Sequence, residues 1–109
     1  EYDLLPWMRK HGVALMAYCP LAQAGTLRQG LFESPQIAEV ARRHGVSATQ
    51  VILAWDIRDG STIAIPRTGQ AQHALENAAA DAIELTDEDI ALIEQAWPAP
   101  THKVPLDME

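Results

Sequence analysis

The chain has 109 residues, 48% of them apolar and 21% charged; this composition excludes disordered and fibrous classes and allows one domain with its own core. It is too short for a complete α/β barrel, which needs roughly 200 residues or more. The formal charge of −7, with lysines and arginines scattered rather than gathered into a stripe, argues against a nucleic-acid partner.

In chain order, Tyr2 to Lys10 reads as a helix, with Leu4, Leu5 and Met8 on one face and His11-Gly12 as its stop. Pro6 fits only in the first turn. Val13 to Tyr18, "VALMAY", is a continuous apolar run of strand length, the pattern of a strand covered on both faces of a parallel sheet. Pro20 ends it, and residues 19–33, with Pro, Gly and Gln, read as a long loop on the exit side of the strand.

Ser34-Pro35 is an N-cap followed by an N1 proline, and Ile37, Val40 and Ala41 form the apolar face of a helix closed by His44-Gly45. Ser47 opens another, with Gln50 in the capping-box position. Its face carries Val51, Ala54, Trp55 and Arg58, flanked by Ile52 and Leu53, and Gly60 ends it. Trp55 on this face is expected to be a core aromatic.

Thr62 to Ile65, "TIAI", is a second short strand stopped by Pro66. An alanine-rich helix from about Ala71 to Ala80 follows. Thr86 caps the last helix, with Asp87, Glu88 and Asp89 in its first turn as dipole-complementing charge rather than a site. Ile90, Ile93, Ala96 and Trp97 supply its core face, and Trp97 packs either on the wall of the fold or near a pocket. The tail from Pro98 has three prolines and no periodicity.

Two strands joined by a helical crossover of this length are parallel, and the connection is right-handed. The fold class is therefore α/β. A two-stranded parallel sheet is not a domain, because its edges need pairing and its faces need cover. The expectation is a truncated product, since Glu1 stands where a Met would open a chain, with the sheet completed by missing N-terminal sequence or by self-association. A lone cysteine, Cys19, fits a reducing cytoplasm. No apolar run approaches the roughly 18 residues of a membrane span, so no membrane partner is expected.

Three stretches, "MAYCPLAQAG" (16–25), "GVSATQVILAWDIRDGSTIAIPRT" (45–68) and "HALENAAADAIELTDEDIALIEQ" (73–95), together resemble the C-terminal part of the aldo-keto reductases, in uninterrupted order from about Gly12 to Pro100. That family's members are (β/α)8 TIM barrels that pass hydride from NADPH to a carbonyl. The resemblance implies that residues 1–109 are one segment of such a barrel: strands seven (about 13–18) and eight (about 62–65), the final helices and a 98–109 tail, without the N-terminal part. Loops after strands seven and eight of such barrels often form a phosphate site at the carboxyl face.

The resemblance also implies roles. Tyr18 stands where the family stacks an aromatic ring on the nicotinamide. Cys19, Leu21 and Gln23 lie where the loop after the seventh strand touches the pyrophosphate and ribose; the family commonly has Ser at the position of Cys19, and a thiol is a poorer donor. Arg67 and Thr68 match the pair that grips the 2′-phosphate, Arg by a bidentate fork. Glu76 and Asn77 match residues that hydrogen-bond the adenine. His73 occupies the place of a second phosphate-binding arginine. An imidazole carries less charge at neutral pH than a guanidinium, which implies a weaker preference for NADPH, with NADH possible.

The family's catalytic Asp, Tyr, Lys and His have no counterpart here, and Tyr2 and Tyr18 do not match the proton-donating tyrosine, so no catalytic residue is assigned and the chain alone is expected to be inactive. The parent would reduce small aldehydes or ketones. A non-catalytic, nucleotide-responsive regulatory module on the same fold is the alternative. Taken singly, Tyr18 would be a core aromatic and Arg67 a solvated surface residue; it is their spacing around a strand and a helix start that favours anion binding. His11, His44, His73 and His102 show no metal-ligand spacing, and no metal site is expected.

Overall fold

The computed structural model describes residues 1–22 and 25–105, with residues 25–27 described by their backbone alone. Helix α1 (Leu4–Lys10) leads into strand β1 (Leu15–Ala17). Helices α2 (Gly25–Glu33), α3 (Pro35–His44) and α4 (Ala48–Ile57) form the crossover to strand β2 (Thr62–Ala64). Helix α5 (Ala71–Ala79), a 3-10 turn at Ala80–Ala82 and helix α6 (Asp87–Ala96) complete the described elements. The strands pair in parallel, with Leu15 opposite Thr62, Met16 opposite Ile63 and Ala17 opposite Ala64. Both are shorter than the apolar runs that announced them, and Val13, Tyr18 and Ile65 lie outside the ladder.

The reading of residues 19–33 as a loop is corrected by α2, which occupies Gly25–Glu33. Its glycines and polar residues obscured a helical spacing of Leu27, Leu31 and Phe32. Gln23 and Ala24 lie outside the described residues.

Helix ends follow local chemistry. Ser34 caps α3, with Pro35 at N1. Gly45 closes it in the left-handed region at φ 64°; its N–H bonds the Arg42 carbonyl and the Val46 N–H bonds the Ala41 carbonyl, the paired bonds of a Schellman ending. Ser47 and Gln50 form a full capping box on α4, as do Thr86 and Asp89 on α6.

The core is built from Ile37, Val40 and Ala41 of α3, Val51 and Ile52 of α4 and Ile93 of α6. Four consecutive α4 residues, Val51 to Ala54, are buried, because α4 touches α3, β2 and α5 on different sides. A helix enclosed in that way needs apolar residues around its circumference. Trp55 is only half-buried: the Arg58 guanidinium lies 3.5 Å from its ring centroid, a cation–π contact at the edge of the core. Trp97 packs toward α2, its Cη2 only 3.3 Å from where a Cβ on Gly30 would lie. Any larger residue at Gly30 would displace that indole.

Asp89 is more than helix-terminal charge. Its side chain is 2% exposed and accepts hydrogen bonds from His44 Nε2 at 2.6 Å, Arg43 Nη1 at 3.3 Å and the Thr86 N–H at 3.1 Å. The end of α3 and the start of α6 are thus joined through one carboxylate. Burial by itself would raise that carboxyl, but the His44 contact and the two Thr86 hydrogen bonds outweigh it and hold it near 2, below the usual 3.8.

Asp56 on α4 goes the other way. Burial raises its carboxyl from 3.8 to about 7, with Arg58 opposing the rise and Glu1 adding to it, and its Oδ2 has no hydrogen-bond partner among the described residues.

These two carboxyls contribute in opposite senses to the pH dependence of stability. A carboxyl held low in the folded state contributes stability that is fully present above pH 3.8 and is lost as pH falls through about 2. Asp89→Ala is expected to cost about 2–3 kcal/mol at neutral pH, through the lost cap and the broken buried pair, and to make the acid dependence shallower in urea titrations run from pH 2 to 5, leaving the part carried by Glu39 and Asp59. Asp56 binds a proton on folding between pH 3.8 and about 7, so its contribution to stability falls as pH rises across that window. Asp56→Asn is expected to flatten stability between pH 4 and 7 in urea titrations run across that range, and an unchanged slope would refute the assignment.

Candidate functional site

Because Ala17 and Ala64 are the last paired residues, the chain leaves both parallel strands side by side at their carboxyl ends. On one side it turns through Tyr18 and Cys19; on the other it runs through Ile65, Pro66 and Arg67. Cys19 and Ala22 adopt left-handed φ values of 52° and 51°, and the Ala22 N–H closes the turn on the Cys19 carbonyl at 2.9 Å. Two non-glycine residues in that region cost on the order of 1–3 kcal/mol each, and such strain persists only where the surroundings enforce it.

The two exits bound a concavity of about 510 Å³, with Tyr18, Cys19 and Leu21 on one wall and Ile65, Pro66 and Arg67 on the other. Tyr18 is 76% exposed, so its ring is not the core aromatic it would be if read alone. Arg28, from the first turn of α2, also lines the space. Its Nη1 donates to the Ala22 carbonyl at 3.0 Å, and its guanidinium carbon lies 5.2 Å above the Phe32 ring.

The expected site residues divide into two groups. Tyr18, Cys19, Leu21 and Arg67 come together on this concavity, while Gln23 lies outside the described residues. Thr68, His73, Glu76 and Asn77 are not among the residues lining it. The Thr68 hydroxyl accepts from the Gln70 N–H at 3.1 Å, a local turn that leads into α5. Gln70, at the N-cap, gives no side-chain cap bond. His73 is exposed in the first turn of α5. The Glu76 carbonyl accepts from Gln50 Nε2 at 3.0 Å, and its carboxylate accepts from Gln72 Nε2 at 3.1 Å. Asn77 borders a different groove beside β2, shared with Leu53, Ile63 and Asp81.

Arg28 was missed because it fell in a stretch read as loop. The spacing of Leu27, Leu31 and Phe32 was the signal that places it on a helix beside the exit of β1. Among the described residues, no three of His, Cys, Asp and Glu gather as metal ligands, and no helix is long and apolar enough to cross a membrane.

A strand-terminal concavity with arginines and an exposed aromatic ring has the chemistry to take a phosphorylated, ring-containing ligand. The model of the "Aldo/keto reductase family" matches residues 1–98. The chain is 45% identical over 108 residues to methylglyoxal reductase YeaE of Escherichia coli (strain K12), covering 99% of this chain and 38% of that enzyme. It is 32% identical over 96 residues to the NADP-dependent D-sorbitol-6-phosphate dehydrogenase of Malus domestica, covering 84% of this chain and 31% of that enzyme. It superposes with a TM-score of 0.91, at 45% identity, on an aldo-keto reductase from Klebsiella pneumoniae solved in complex with NADPH, covering 99% of this chain and 38% of that one. The chain thus spans less than two fifths of the length of these relatives, and its two parallel strands with their helices are a portion of that TIM-barrel fold. By sequence and by structure, the chain belongs to the aldo/keto reductase family.

Proposed function

We propose that this chain is the C-terminal, cofactor-binding part of an NADPH-dependent reductase of small aldehydes or ketones, contributing strands seven and eight of the barrel. The observation that carries the reading is the meeting of Tyr18, Cys19, Leu21 and Arg67 on one concavity at the carboxyl ends of two parallel strands, the place where α/β folds bind their ligands. The residues present fit such a cofactor: a ring 76% exposed offers a stacking face, and guanidinium groups offer forks for phosphate.

Tyr18 would orient the nicotinamide by stacking, and Cys19, Leu21 and Gln23 would line the path of the pyrophosphate and ribose. Arg67 and Thr68 would hold the 2′-phosphate at the start of α5, where helix N–H groups favour an anion. Glu76 and Asn77 would reach the adenine, with the Glu76 backbone anchored to α4 through Gln50. His73 would add less charge than an arginine, leaving room for NADH. When bound, the cofactor supplies hydride to the carbonyl. The proton donor would lie outside this chain, since the tyrosines here are Tyr2 and Tyr18 and neither matches the family's catalytic one.

Relatives' names support a small carbonyl substrate of the methylglyoxal type. Met16 and Ile63, paired on the sheet, are 63% and 53% exposed, which supports completion of the barrel by further strands from a longer polypeptide or a second copy. A cytoplasmic location is the companion expectation.

Three measurements test this reading. Arg67→Ala is expected to weaken NADPH binding by about 10–100-fold, the worth of charge-assisted hydrogen bonds to a phosphate, with NADH nearly unaffected; NADPH affinity intact in fluorescence titrations would undo the assignment. His73→Arg is expected to raise the NADPH-over-NADH affinity ratio several-fold through one added cation. The 109-residue chain mixed with NADPH and methylglyoxal is expected to show no loss of absorbance at the reduced-nicotinamide band, and clear turnover would mean that a proton donor lies within it.

A further inference from the structure

Helix α5 carries His73, Glu76 and Asn77, yet none of its own residues is buried. Apolar packing therefore fixes its direction weakly. The buried residue at its end is Ala80 in the 3-10 turn, 1% exposed, and that turn packs against α4. One anchor at the end of a helix leaves it free to pivot. A second anchor lies about one turn earlier, where Gln50 Nε2 of α4 donates to the Glu76 carbonyl at 3.0 Å. We propose that Gln50 is a positioning residue for the adenosine half of the cofactor, holding α5 at the tilt that places Glu76 and Asn77. The role rests on the cofactor reading of those two residues.

The chemistry of the amide supports the assignment. A glutamine side chain has an acceptor oxygen and a donor nitrogen on one rigid plane, and here both are used. Oε1 accepts from the Ser47 N–H at 3.1 Å to complete the capping box of α4, which directs Nε2 to the other side, toward α5. Capping alone does not require the amide, because a glutamate closes the same box; only a glutamine also offers a donor to a carbonyl. The receiving carbonyl is in the right place. Where α5 tightens into the 3-10 turn, the N–H groups of its cap bond the Asn77 and Ala78 carbonyls, and the Glu76 carbonyl, one residue earlier, takes the Gln50 amide. A helix held at two points before the ligand arrives lowers the cost of ordering the residues that meet it.

The experiment measures binding of NADPH, adenosine 2′,5′-bisphosphate and reduced nicotinamide mononucleotide to the intact protein, with urea unfolding of each variant alongside. Gln50→Glu keeps the cap and loses the donor. Gln50→Met loses both without adding a charge. Ser47→Ala weakens the cap but leaves the Ser47 N–H, and with it the bond that orients Gln50. Both Gln50 variants are expected to weaken NADPH and the bisphosphate by the same factor, about fivefold for one hydrogen bond of ordinary strength, and to leave the mononucleotide unchanged. Gln50→Met and Ser47→Ala should unfold at lower urea than the wild type and Gln50→Glu close to it, with Ser47→Ala binding all three ligands normally. Affinity would then follow the Nε2 donor rather than the stability of α4.

Wild-type affinity for the bisphosphate in Gln50→Met overturns the proposal, as does an equal loss for the mononucleotide, which would mark a general disturbance. A loss in Ser47→Ala as large as in Gln50→Glu would trace the effect to the α4 cap and overturn it too. If the Gln50 variants bind normally while Arg67→Ala loses the bisphosphate, this proposal falls and the cofactor reading stands. If the wild-type protein binds neither NADPH nor the bisphosphate, both fall.

Discussion

The three-residue parallel ladder between β1 and β2 is the constraint on which the rest of the site depends. Parallel pairing sends both chains out of the sheet at the same end, so the pairing of Ala17 with Ala64 brings Tyr18 and Ile65, 47 positions apart in sequence, to one edge. An antiparallel pairing would place those exits at opposite ends, and no concavity could hold Tyr18 and Arg67 together. Parallel pairing in turn demands a crossover long enough to return the chain to its starting end. Here α2, α3 and α4 supply it, and α4 packs against β2 while sharing the core with α3.

That crossover explains why the centre of the molecule is helical although the site is organised by strands. The buried residues of α3 and α4 meet Ile93 of α6, and Asp89 fixes the approach of α6 by linking it to His44 and Arg43 at the end of α3. Apolar packing is tolerant of small rotations, whereas a carboxylate that must satisfy Thr86, His44 and Arg43 together accepts few. The polar joint sets the angle at which the last helix lies, and the apolar contacts supply most of the stabilisation. Trp97, just beyond α6, then meets α2 at Gly30. The same helix carries Arg28, so one face of α2 packs on the core side while its first turn borders the cleft.

What the sequence made legible was mostly local. Ser34-Pro35, Ser47 with Gln50, Thr86 and Gly45 mark helix ends through chemistry confined to a few residues, and the structure places caps at each. The two strands were visible as apolar runs, but the ends of those runs were not, because Val13, Tyr18 and Ile65 are apolar for reasons other than ladder pairing. Helix α2 was obscured by its glycines: Gly30 reads as a breaker in sequence, yet in the fold it is the small residue that lets an indole approach a helix. The joint at Asp89 was hidden for another reason. An acidic first turn looks the same whether its carboxylates are solvated or buried, and His44 lies 45 positions away. For the site, the resemblance supplied Tyr18, Cys19, Leu21 and Arg67, which the fold brings together, whereas Arg28 depended on a helix that had not been recognised.

The turn after β1 shows how strain and charge are coupled at the cleft. Cys19 and Ala22 sit in a backbone region that disfavours side chains, and the hydrogen bond that closes the turn does not by itself offset two such residues. The Arg28 bond to the Ala22 carbonyl adds a second restraint from a different element. A guanidinium fixed in this way stabilises the turn, while the turn fixes the guanidinium over the concavity. Since the carbonyl dipole of Ala22 satisfies only part of that charge, the remaining field points into the space bounded by Arg67. Both arginines stand without carboxylate partners among the described residues, in an otherwise acidic chain whose other arginines are paired.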